Sequence, residues 1–258
     1  MEKLSRRSLF KAAGAAGAVA AVPERLITPA AAQTEPVAPP TSPVGGGLPA
    51  GDPRAGHQDV MFFFTLDEAR FVEAAVDRLI PPDEKWPGAV WAGVPEFIDR
   101  QLAGAYGVGA RMYLEGPWDL GTSQQGYQLP FTPAQLYRTG IQEIRTWLSQ
   151  REGGGTEFWD LPVADQITIL EMLESGEVPL PSMPSSVFFE TLLANTIEGW
   201  FADPAYGGNQ DMISWRMIGF PGAYAQYVDL VTEYNQPYER PPMSMAQSAR
   251  SHSHHATR

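Results

Sequence analysis

Two capping boxes constrain this chain more than any other feature. Thr65-Leu66-Asp67-Glu68 and Thr132-Pro133-Ala134-Gln135 each set a threonine three residues before Glu or Gln. In that pattern hydroxyl and acid or amide satisfy each other's unpaired backbone amides at a helix start. Apolar residues then recur at helical spacing: Ala69, Val72, Val76, Leu79 and Ile80 after the first box, Leu136, Gly140, Ile141, Ile144, Trp147 and Leu148 after the second. Pro81-Pro82 stops the first run, and Gly153-Gly154-Gly155 the second. Pro95 suits the first turn of another helix, whose stripe is Phe97, Ile98 and Leu102. Pro162 opens a further helix with Ile167, Leu170, Met172 and Leu173 turned inward. Ser186 reads as the cap of one carrying Phe188, Phe189, Leu192, Leu193, Thr196 and Trp200. A short helix is expected from Ala223 to Tyr234. Strict alternation is rare, and no Asn-Gly or Asp-Gly pair joins two β-type runs. The expectation is a mostly α-helical single domain over residues 60–236, with long loops rich in Gly, Pro and aromatics.

The residues absent narrow the chemistry. Cysteine is missing, which excludes a disulfide framework, a thiol nucleophile, a thiolate zinc site and covalently attached haem. The four histidines, His57, His252, His254 and His255, all fall outside residues 60–242. The expected body therefore lacks the usual general base at neutral pH and the favoured ligands of zinc, copper and haem iron. Asp203, Asn209 and Asp211 offer oxygen ligands, but not at the spacing of a calcium-binding helix–loop–helix; Asx residues in turns more often bond nearby backbone. Glu190 and Glu198 are the pair a glycosidase would need, yet eight residues apart on one amphipathic helix they read as solvated charges. Gly104, Gly107 and Gly109 lack the strand–turn–helix setting of a nucleotide-binding loop. The tail histidines read as an unspecific polar end.

The first 32 residues have the form of an export leader. Ser5-Arg6-Arg7-Ser8-Leu9-Phe10-Lys11 carries the twin-arginine pattern, and Arg6 and Arg7 are its address. Ala12 to Val22 is weakly apolar and too short to span a bilayer, which needs roughly 20 residues. Ala30-Ala31-Ala32 offers a cleavage site that leaves Gln33 first. The leader holds five basic residues against two acidic ones, so its removal takes the formal charge from −12 to −15. Such a surface repels nucleic acid and anionic lipid. No other stretch is apolar for long enough to cross a membrane. Residues 33–59 read as a Pro/Gly-rich linker, and residues 237–258 as a polar tail that is extended or disordered. Residues 104–131, with Tyr106, Tyr113, Trp118, Tyr127 and Phe131, read as a long irregular excursion, the kind of loop that serves function or a partner.

The stretch from Gly199 to Gly222 is the densest in information. Trp200, Phe201, Tyr206, Trp215 and Phe220 alternate with turn signals at Asp203-Pro204 and Gly207-Gly208-Asn209. Aromatics in such a loop must be buried, in the chain's own core or against a partner. Trp200, Tyr206, Trp215 and Phe220 are therefore candidate core or interface anchors.

From Phe188-Phe189-Glu190 through Asp203-Pro204-Ala205-Tyr206-Gly207-Gly208-Asn209 to Trp215-Arg216-Met217-Ile218-Gly219-Phe220-Pro221-Gly222, the chain resembles the gluconate 2-dehydrogenase subunit 3 family. Leu79-Ile80-Pro81, Gly88-Ala89 and Gly93-Val94-Pro95-Glu96-Phe97-Ile98-Asp99 are similar to the family's N-terminal half, and the resemblance spans roughly residues 60–235. It implies the small subunit of a periplasm-facing, membrane-associated, acceptor-dependent dehydrogenase of sugars or polyols. The implied partners are an FAD-carrying flavoprotein and a multihaem cytochrome c holding haem c. The small subunit would carry the twin-arginine leader, meet the twin-arginine translocase, and bring the folded flavoprotein across. The family has no known catalytic residues, so none is carried over to this chain, and no cofactor-binding or metal-binding residue is assigned in it. The rival reading is a stand-alone periplasmic carbohydrate-binding module or a carboxylate-dependent hydrolase; a buried carboxylate pair in an open, Trp-lined pocket would favour it.

Overall fold

Helix α5 (Ser185–Phe201) is the element around which the others pack: α1 (Leu66–Leu79), α2 (Val94–Ala103), α3 (Pro133–Ser149), α4 (Val163–Glu174) and the short α6 (Ile213–Ile218) all touch it. The protein was analysed as a computed structural model that describes residues 61–119, 121–122, 125–151, 155–223, 232, 234 and 240–248. The leader with Arg6 and Arg7, the linker, most of the helix expected from Ala223 to Tyr234 and the last ten residues lie outside them. Every described residue belongs to one compact unit, Leu48–Arg258. Among the described residues the regular structure is α-helical with three short 3₁₀ turns, and its sole strand-like feature is a parallel bridge between Gly222 and Met243.

Both capping boxes form as the sequence dictates. Thr65 and Thr132 accept from the amides of Glu68 and Gln135, whose side chains reach back to the cap amides at 2.8 and 2.9 Å. Pro95 occupies the first turn of α2 and Pro133 that of α3. The inward face of α1 (Phe71, Val72, Ala75, Val76) meets Phe158 and Phe188, with ring centroids 4.9 and 6.2 Å from Phe71. Tyr137 of α3 closes the cluster, 5.9 Å from Phe188. At Gly140 an added Cβ would come within 2.3 Å of the Phe188 ring, so α3 crosses α5 at a distance only glycine permits.

Three expectations change. α5 begins at Ser185, with Pro184 rather than Ser186 at the cap position and no side-chain cap bond; the fixed φ of proline (here −61°) sets the cap two residues before the expected one. On α4 the buried residues are Gln166, Ile169, Leu170 and Leu173, while Ile167 and Met172 are half-buried. Gln166 holds its inward place by donating to the Phe158 carbonyl at 3.0 Å, so Gln166 and Ile169 join Leu170 and Leu173 on the buried face. The tail, expected to be extended or disordered from residue 237, is seated where it is described. Residues 240–248 return to the body: Met243 donates to the Pro221 carbonyl and accepts from the Ala223 amide. No helix among the described residues is long and apolar enough to cross a membrane.

Candidate partner-docking face

The segment after α5 is folded onto the helices by its glycines and one asparagine. Asp203 Oδ1 accepts from the Ala205 amide at 2.9 Å and opens a 3₁₀ turn, Pro204–Tyr206, which ends at Gly207 with φ +106°. Gly208 then lies flush on the end of α5; an added Cβ would stand 2.2 Å from the Gly199 carbonyl oxygen. Gly199 in turn faces Phe97 and Val94 of α2, with 2.8 Å between a would-be Cβ and the Phe97 ring. The Gln210 amide donates to the Ala92 carbonyl at 3.0 Å, so the loop bridges α5 and the start of α2.

Asn209 is the hub. It is fully buried, its Nδ2 donates to the Ala202 carbonyl at 2.9 Å, and its Oδ1 accepts from both the amide and the hydroxyl of Ser214, at 2.9 and 2.8 Å. Its backbone is left-handed (φ +48°), as are those of Asp211 (+52°) and Met212 (+55°). Three non-glycine residues with positive φ in four positions is a local strain that the surrounding bonds must sustain. Trp215 on α6 is buried and donates its Nε1 to the Phe201 carbonyl at 3.0 Å. Phe220 stacks on it edge-on, with centroids 5.1 Å apart. Residues 240–248 tie the far side, since the Met245 amide donates to Asp203 Oδ2 at 2.7 Å.

The four candidate anchors divide into two pairs. Trp200 (1 % exposed) and Trp215 (6 %) are core; Tyr206 (52 %) and Phe220 (45 %) face solvent. Ile218 and Met245 are exposed as well. The loop therefore seats itself with tryptophans and leaves three of its side chains outward, with Met245 of the 240–248 segment as a fourth.

Two of the three oxygen-rich candidates are spent on backbone amides and on Ser214. Both Asp203 oxygens accept backbone amides, the Asn209 oxygen accepts from Ser214, and Asp211 is exposed. Among the described residues no three His, Cys, Asp or Glu side chains are gathered as metal ligands. Glu190 and Glu198 are both exposed on α5. Gly107 is required for a sharp return at the end of α2, where a Cβ would collide with the Leu102 carbonyl.

Sequence reasoning missed a polar knot beneath the 104–131 excursion. Asn195, buried on α5, accepts from the Tyr137 hydroxyl at 3.0 Å and the Tyr106 hydroxyl at 3.3 Å, and donates to Glu198 at 3.1 Å. The Tyr127 hydroxyl donates to the Phe131 carbonyl at 2.7 Å. Burial pushes the Tyr127 phenol up to about 12, and raises those of Tyr106 and Tyr137 too. The excursion is thus tied to α5 through Tyr106, while Tyr127 closes a local turn onto Phe131. Asn195 lies one residue before Thr196 on the apolar side of α5, and a polar residue there was the available signal.

A family model described as gluconate 2-dehydrogenase subunit 3 matches residues 66–222, from the first helix through the end of this loop. The chain belongs to that family. No curated protein and no solved structure matches it.

Proposed function

From that membership we propose that the chain is the non-catalytic small subunit of a membrane-associated, FAD-dependent sugar or polyol dehydrogenase complex. It binds and stabilises the flavoprotein subunit, escorts it through twin-arginine export by way of Arg6 and Arg7, and works in the periplasm beside a multihaem cytochrome c. The observation that carries this reading is the division of the Gly199–Gly222 aromatics. Trp200 and Trp215 fix the loop, so Tyr206, Ile218 and Phe220, with Met245 from the 240–248 segment, are presented on a backbone already ordered. Pre-ordered apolar anchors bind a partner without the entropic cost of arranging them.

Co-expression with the flavoprotein encoded nearest to this chain tests the reading, with periplasmic flavoprotein and its FAD as the measure. Export of FAD-loaded flavoprotein is expected with the wild-type chain and is expected to stop with an Arg6→Lys, Arg7→Lys double change. Active flavoprotein in the periplasm without this chain would sink the escort role. Failure of the two to co-purify would sink the subunit role.

A further inference from the structure

One buried carboxylate holds the start of the helical body. Asp99 lies on α2, four residues after Pro95 and three before Leu102, and is 1 % exposed. Its Oδ2 accepts from the Phe62 amide at 2.7 Å; its Oδ1 accepts from the amides of Phe63 and Phe64 at 2.9 and 2.8 Å. Successive main-chain amides turned on one anion form a nest, and bonds to an ionised acceptor are the strong ones. The same tripeptide is gripped from outside by Arg138 of α3. That side chain donates Nη2 to the Phe63 carbonyl at 2.7 Å, lays its guanidinium over the Phe63 ring at 4.3 Å, and pairs through Nη1 with both Glu68 oxygens at 3.0 Å. Phe64 is buried against Tyr137 at 6.0 Å, while Phe62 points out.

The gripping groups come from three helices: Glu68 from α1, Asp99 from α2 and Arg138 from α3. None lies within Phe62–Phe64, the strap they hold, and Asp99 and Arg138 stand 35 to 37 and 75 residues further along the chain. The seat exists only when those helices have assembled. A hydrophobic strap alone would need no charge at its centre, and an unpaired carboxylate in this position would be costly. The match of two carboxylate oxygens to three consecutive amides needs a backbone that bends, as this one does at Phe62 and Phe63, and so turns its N–H groups to one side.

We propose that Asp99 and Arg138 form a fold-dependent latch whose ligand is the chain's own Phe62–Phe64 segment. The arm that precedes residue 61 is tied to the body at this point only when α1, α2 and α3 are packed together, and is let go when they part. The latch goes beyond the subunit reading and stands whether or not a flavoprotein binds.

Hydrogen exchange of the full-length chain, resolved to the amides of Phe62, Phe63 and Phe64, tests the latch. In the wild type these amides should exchange about a hundredfold more slowly than in an open chain. Asp99→Asn keeps the shape but removes the charge and one acceptor, and should speed their exchange at least about tenfold while α4 and α5 keep their protection. Arg138→Ala, on the exposed side, should speed it by a smaller factor. Wild-type amides that exchange at open-chain rates would overturn the latch, as would an Asp99→Asn chain with undiminished strap protection. If Asp99→Asn loses protection throughout α4 and α5, Arg138→Ala decides: acceleration confined to the strap supports the latch, while acceleration everywhere, or none, overturns it.

Discussion

The strap at Met61–Phe64 and the loop at Gly199–Gly222 are both irregular backbone laid on the helical body, and opposite chemistry holds them. The strap is gripped by a buried anion and an outer guanidinium, and it tucks Phe64 inward. The loop is held by a neutral amide at Asn209 and by glycines that bring backbone against backbone, and it leaves Tyr206 and Phe220 outside. A single ionic hub can hold a segment that ends in the arm, because only its backbone direction matters. The loop must present side chains at set places, and that takes contacts along its whole length, left-handed residues included. The strap is built to be held; the loop is built to display.

If close approach is what fixes the loop, Gly208→Ala should have the largest effect. Its Cβ would meet the Gly199 carbonyl at 2.2 Å, and a loss of about 3 kcal/mol in urea unfolding is expected. No loss would mean that the loop lifts off α5 without penalty. Asn209→Ala comes next, at about 2 kcal/mol, because it removes a buried donor and an acceptor that takes two bonds. Asn209→Gly sharpens the assignment: it keeps the left-handed backbone accessible, so it should recover about 1 kcal/mol of that loss by thermal melting. Equal losses would show that strain at this position plays no part.

The 104–131 excursion supplies a third case, an irregular segment held by phenols. Raised phenol values mean that the folded state keeps its protons to higher pH than the unfolded chain. The stability they contribute is therefore whole below pH 10.0 and is lost as pH climbs through the folded values, about 12 for Tyr127. Urea midpoints measured between pH 8 and 11 should be flat and then fall above 10, and Tyr127→Phe should soften the fall. The smallest effect belongs to Tyr206→Ala. More than half exposed, it should change stability by less than about 0.5 kcal/mol.

Much of the helical scaffold could be read from local chemistry, because capping boxes and prolines act within one turn of the helix they start. Thr65, Pro95, Thr132 and Pro162 all mark true beginnings. Ser186 misled because Pro184 does the same work two residues earlier. The division of the anchors was beyond reach, since Trp200 and Tyr206 differ in exposure through packing that the sequence does not spell out. Asp99 was also missed: its partners lie 35 to 37 residues away and are backbone amides, which carry no residue signature. An acid on the apolar stripe between Pro95 and Leu102 was the one visible sign.

The docking claim is tested most directly by co-purifying the flavoprotein with a Tyr206→Ala, Phe220→Ala double variant. Phe220 also leans on Trp215, so the variant's melting temperature must be followed beside the wild type's. The account predicts a variant that folds, melts within a few degrees of the wild type, and retains little or no flavoprotein. A folded variant that keeps its full share of flavoprotein would contradict it, and the partner would have to sit elsewhere on the body.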